Sequence, residues 1–113
     1  MSESFKIYLN DISECVEKIE RYKGNRVKGE FLKDSMAVDA VIRNLEIIGE
    51  AVKRLPSEVR KKHNKIEWKK IAGLRDVLIH EYSGIDKDIL WEVISIKIPI
   101  LKDSLKEIKS ELK

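Results

Sequence analysis

Ile94-Ser95-Ile96-Lys97-Ile98-Pro99-Ile100 is the stretch on which the fold turns. Taken alone it alternates apolar and other residues in the manner of a half-buried strand, and isoleucine favours strands. A wider window reverses that reading. Leu90, Ile94, Ile98, Leu101, Leu105, Ile108 and Leu112 fall within about 80° of arc when successive residues are set 100° apart, the step of an α-helix. Asp86 is suited to cap the start of this helix, and Lys109 and Lys113 suit the negative end of its dipole. Pro99 removes one backbone donor and crowds the carbonyl of Ser95, so a kink is expected there. A second apolar stripe, Ile89, Val93, Ile96 and Ile100, runs along another side, with Ile85 and Trp91 near the helix start. One apolar face packs within the monomer. The second needs either a twofold copy of the same chain or burial on two sides inside one monomer.

The helical period recurs upstream. Phe5, Leu9, Ile12, Val16 and Ile19 share a face of a first helix from Ser4 that stops near Lys23-Gly24, where glycine can take a positive φ. After a loop from Gly24 to Gly29, a second helix is expected from Glu30 to Leu55, ended by Pro56. Its face holds Phe31, Val38, Val41, Ile42, Leu45, Ile48 and Val52, and Gly49 inside it suggests close approach by a neighbouring helix. A short helix can start at Pro56-Ser57-Glu58 and leave at Asn64-Lys65-Ile66. A third helix from Trp68 to His80 would turn Ile71, Leu74, Val77 and Leu78 inward. The expected architecture is all-α, an antiparallel bundle of four to five helices forming one domain over residues 1–113 and dimerising through its helices.

Composition narrows the class further. A chain of 113 residues supports one core. Its 38% of charged residues exceeds the usual ~25%, yet branched apolar residues are spread throughout, which argues against disorder. With one cysteine there is no disulfide framework and no cysteine-based metal cluster. No apolar run approaches the ~20 residues of a membrane span, and the polar N-terminus does not read as a signal peptide. A cytoplasmic protein without membrane contact is expected. The absence of Gln and Thr beside abundant Lys, Glu and Ile fits hyperthermophile proteins and equally an AT-rich genome.

The charge is unevenly placed. Between Arg54 and Lys70 lie seven basic residues against Glu58 and Glu67, so a net charge of +3 hides a local excess. Arg60, Lys61, Lys62, Lys65, Lys69 and Lys70 are candidates for binding the phosphates of RNA, although a solvated lysine-rich face would look the same. Arg75 and His80 follow, separated by four residues. Arginine can hold a phosphate bidentately, and histidine can move a proton to or from a ribose hydroxyl or a leaving oxygen near neutral pH. Five helical steps turn about 140°, so one straight helix would not aim both at one point. Either the helix unwinds near the turn-prone Ser83-Gly84, or two subunits build the site. His63 reads as a surface residue of the basic run and Cys15 as a core side chain.

Arg75-Asp76-Val77-Leu78-Ile79-His80-Glu81-Tyr82 matches the R-x4-H-x-Y signature, and the chain resembles the HepT toxins, a branch of the HEPN superfamily. The resemblance extends through Leu9-Asn10-Asp11-Ile12, Arg43-Asn44-Leu45-Glu46-Ile47-Ile48-Gly49-Glu50-Ala51, Ile66-Glu67-Trp68-Lys69-Lys70-Ile71-Ala72-Gly73-Leu74 and Trp91. The branch often has Asn after the arginine, where this chain has Asp76. The resemblance implies an all-α homodimer with a composite cleft, acting as a metal-independent endoribonuclease toxin without a cofactor. It further implies Arg75 and His80 as catalytic residues and Asp76 as a supporting one. The implied partner is a minimal nucleotidyltransferase antitoxin that uses ATP to place AMP on Tyr82, as in a type VII-like toxin–antitoxin system. Two readings from other classes stand beside it. One is a non-catalytic helical subunit that binds substrate or nucleotide for a separate nucleotidyltransferase; the other is a structural dimerisation module.

Overall fold

Helix α1 (Lys6–Lys23) buries Leu9, Ile12, Cys15, Val16 and Ile19 on one side, the stripe expected from the sequence. It stops where Gly24 adopts a φ of 57° and donates its N–H to the Glu20 carbonyl at 2.8 Å. The computed structural model describes residues 4–74, 76, 79–80 and 84–112, with the backbone alone at 79, 80 and 85.

The single helix expected from Glu30 to Leu55 is two, α2 (Lys28–Lys33) and α3 (Ser35–Lys53). Asp34 leaves helical geometry between them and its carboxylate accepts the Ala37 N–H at 3.1 Å, an N-cap that begins α3. Arg26 braces this corner by donating to the same carboxylate at 2.8 Å and to the Tyr22 carbonyl at the end of α1. The pair with Arg26 holds the Asp34 carboxyl below its usual range.

Past Pro56 come α4 (Ser57–Lys62), a turn over residues 63–66, and α5 (Trp68–Ala72). The third helix therefore does not run on to His80. Leu74 and Asp76 remain helical, but Ile79–His80 is an extended segment, β1, pairing antiparallel with Gly84–Ile85, β2. Gly84 has a φ of 83°, which suits glycine in the return of so short a ladder. Val77 and Leu78, expected inward, lie outside the described residues.

Asp86 caps α6 (Lys87–Glu92) by accepting the Ile89 N–H at 3.1 Å. The backbone then widens to a π-helical turn over Val93–Lys97, where the Ile98 N–H reaches back to the Val93 carbonyl, before α7 (Ile98–Ser110). The kink expected at Pro99 is thus a change of helical pitch. Proline falls at the start of α7, where a missing N–H does least harm, and the wider turn precedes it.

The two long helices α1 and α3 pack on each other, α7 lies on α1, α5 on α3, and α2 touches both α3 and α6. Phe31, Ile12, Ile19, Ile48, Leu90 and Leu101 are wholly buried between them. The fold is all-α, with the two-residue ladder its only strands among the described residues. No described helix is long and apolar enough to cross a membrane.

The second stripe of the last helix divides. Val93 belongs to the monomer core, Ile89 is half-buried, and Trp91 is half-buried with its ring 5.9 Å from that of Phe31. Ile96 and Ile100 stay in solvent, 53% and 43% exposed.

Candidate active site

The R-x4-H segment grows directly from α5. The Gly73 N–H bonds to the Lys69 carbonyl and the Asp76 N–H to the Gly73 carbonyl, both at 3.1 Å, so the turn carrying Asp76 continues the helix. By Ile79–His80 the backbone is extended. A change of conformation between Asp76 and Ile79 answers the geometric objection to the motif: the two ends are not held about 140° apart on one straight helix. Arg75, Tyr82 and the His80 side chain lie outside the described residues.

Asp76 is exposed and lines a recess of about 450 Å³ against α3, with Arg43, Glu46, Glu50 and Lys53 on the opposite wall. Lys53 pairs with Glu50 at 3.3 Å, and Arg43 stands 3.9 Å from Glu46. The sequence analysis did not single out these four residues. Their helical spacing on the charged side of α3 was the available signal.

The basic segment is less open than its composition suggests. Lys62 lies 3.2 Å from Glu111, Lys65 is 4.0 Å from Glu107, and Lys70 is 2.9 Å from Glu67. Glu67 also receives Lys97 at 3.4 Å, and these lysines, Lys70 foremost, hold its carboxyl below the usual range. Arg60, Lys61 and Lys69 make no ion pair among the described residues. Exposed pairs of this kind are weak and can exchange a carboxylate for a phosphate.

His63 is not the surface residue expected. It is buried, its Nε2 is 3.0 Å from Glu111 Oε1 and its Nδ1 is 3.9 Å from Glu107 Oε2. His63 and Lys62 together pull the Glu111 carboxyl below its usual range. The turn beside it is fixed by Trp68, whose indole N–H donates to the carbonyls of Arg60 at 3.1 Å and His63 at 3.0 Å. These contacts tie α4 to both α5 and the end of α7. Cys15 is buried as expected, and burial pushes its thiol up, away from reactivity.

A second hollow, about 360 Å³, runs between α5 and the α6–α7 arm. Ile66, Ile71, Leu74, Ile89, Val93 and Ile100 form its apolar wall, with Lys70 and Lys97 at its rim. Exposed Ile100 makes it continuous with the uncovered part of the second stripe.

These features define a small all-α protein with an Arg–His segment at the end of a short helix, between a charged recess and an apolar groove. A family described as ribonuclease HepT-like matches residues 12–108, which include all of Arg75 to Tyr82, and the chain belongs to that family. It is 53% identical to a protein of Caldanaerobacter subterraneus subsp. tengcongensis provisionally named an RNase, over 89% of this chain and 90% of the relative. It is 41% identical to a Thermococcus cleftensis protein named "Probable ribonuclease HepT", over 96% and 99% of the respective chains. A Methanocaldococcus jannaschii protein, named a gamma-glutamylcyclotransferase and provisionally an RNase, is 46% identical over 99% of this chain. The match spans only 50% of that longer relative. No solved structure matches the chain significantly.

Proposed function

We propose that this chain is a metal-independent endoribonuclease and the toxin of a toxin–antitoxin pair, active as a homodimer. The observation that carries the reading is the ribonuclease HepT-like match over residues 12–108, within which Arg75, His80 and Tyr82 stand in the R-x4-H-x-Y order. Arg75 holds the scissile phosphate and offsets the charge that builds on it. The ribose 2′ oxygen attacks phosphorus as its proton leaves, the bond from phosphorus to the 5′ oxygen breaks, and that oxygen takes up a proton. The products are a 2′,3′-cyclic phosphate and a 5′-hydroxyl. Cleavage needs both a base and an acid, and two copies of His80 in a shared cleft provide them. Asp76 supports the pair, while Arg60, Lys61, Lys62, Lys65, Lys69 and Lys70 draw in the RNA backbone.

The dimer would cover the apolar groove and exposed Ile96 and Ile100. Control would come from a minimal nucleotidyltransferase that transfers AMP from ATP to the Tyr82 hydroxyl with release of pyrophosphate. The added phosphate brings bulk and negative charge to the place where Arg75, Lys69 and Lys70 would otherwise meet RNA. The test is expression without that partner. Growth arrest by wild type, lost in His80→Ala and Arg75→Ala at equal protein level, is the expected result; harmless wild type at high level contradicts the toxin role.

A further inference from the structure

Helices α3 and α5 come unusually close at one point. A Cβ placed on buried Gly49 would lie 3.2 Å from the Ala72 carbonyl oxygen and 3.4 Å from that of Ile71. Both are backbone atoms, so neither can swing aside, and only a shift of the end of α5 would relieve the contact. Glycine inside a helix of 19 residues weakens that helix, so the position needs a compensating reason. Ala72 is the last residue of α5. The hydrogen bonds from Gly73 to Lys69 and from Asp76 to Gly73 build the next turn directly on it, with no loop to absorb a displacement.

We infer that Gly49 is a positioning residue for RNA cleavage. Its missing side chain seats the end of α5 against α3 and thereby sets where the R-x4-H segment begins. The inference rests on the ribonuclease reading above. Gly49 is buried beneath the segment, so its effect falls on the chemical step and not on the hold on RNA.

One methyl group at this spacing demands a movement of a few tenths of an ångström. A misplacement of about 1 Å can reduce a rate about 10²-fold. Gly49→Ala is therefore expected to lower kcat roughly tenfold, with KM for a short single-stranded RNA little changed. Gly29→Ala is the control, because a Cβ there meets nothing within 4 Å.

The experiment measures kcat, KM and amide hydrogen exchange in wild type and both variants. The expected result is a kcat loss in Gly49→Ala alone, with faster exchange at Gly73 and Asp76 and unchanged exchange along α1. General loss of stability would quicken exchange throughout. If wild type cleaves RNA and Gly49→Ala matches it in rate and local exchange, the inference is overturned and the ribonuclease reading stands. If wild type does not cleave RNA, the ribonuclease reading fails and takes the inference with it. Should Gly49→Ala not fold, Ala72→Gly frees the same helix end from the other side. The same kcat loss at constant KM is expected there, and a wild-type kcat overturns the inference.

Discussion

Replacing Trp68 with phenylalanine removes one N–H that serves two carbonyls. The indole nitrogen is 3.1 Å from the Arg60 oxygen and 3.0 Å from the His63 oxygen, and the side chain is buried. A neutral hydrogen bond contributes about 1 kcal/mol net, and leaving a buried acceptor short of a partner costs about 1–3 kcal/mol. The His63 carbonyl keeps only a long contact from the Ile66 N–H at 3.4 Å, so the lower half of that range applies. The smaller ring adds roughly 1 kcal/mol for the space it leaves. The total is about 2–3 kcal/mol. For 113 residues the unfolding entropy near the midpoint is about 0.24 kcal/mol/K, which converts the loss to a fall in Tm of about 10 °C. Circular dichroism melts of Trp68→Phe and Trp91→Phe make the comparison, because half-buried Trp91 makes no such hydrogen bond among the described residues. A drop below about 3 °C for Trp68→Phe, or an equal drop in both, would refute the idea that this N–H ties α4 to α5.

Three other outcomes follow from the same structure. Ile96→Lys with Ile100→Lys should give a folded monomer by sedimentation, with the wild type a dimer at micromolar concentration; a monomeric wild type removes the dimer from the account. Tyr82→Phe should escape control by the nucleotidyltransferase partner, and intact mass should show AMP on wild type only; full neutralisation of Tyr82→Phe contradicts control at that hydroxyl. Acid stability is set partly by Asp34, Glu67 and Glu111, whose carboxyls lie below their usual range through Arg26, Lys70 and His63 respectively. A depressed folded value means stability present above the unfolded pKa and lost as pH falls through the folded one. The melting temperature should fall below about pH 4, and less steeply in Asp34→Asn; identical acid profiles would remove Asp34 from that balance.

Helical phase made much of the fold legible. The stripe of α1 and the long pattern from Leu90 to Leu112 are local properties of the chain, and both stand as helical surfaces in the structure. The break at Asp34 was hidden because Phe31 and the apolar residues of α3 keep one phase across it. Only the bracing of Asp34 by Arg26 reveals a corner. Pro99 announced a disturbance, but its form depended on which carbonyls the turn before it could spare. His63 looked like part of a basic surface because its partner Glu111 lies 48 residues away. The order of Arg75, His80 and Tyr82 was plain in the sequence. The end of their helix was foreshadowed by Ser83-Gly84, whereas the recess between Asp76 and α3 needs the approach that Gly49 permits.

The most direct test incubates the purified protein with single-stranded RNA in excess EDTA and analyses the new ends, beside His80→Ala. Cleavage by wild type to 2′,3′-cyclic phosphate and 5′-hydroxyl ends, absent in His80→Ala, is the predicted result. No cleavage in EDTA with activity restored by magnesium, or equal cleavage by His80→Ala, would contradict the Arg75–His80 chemistry.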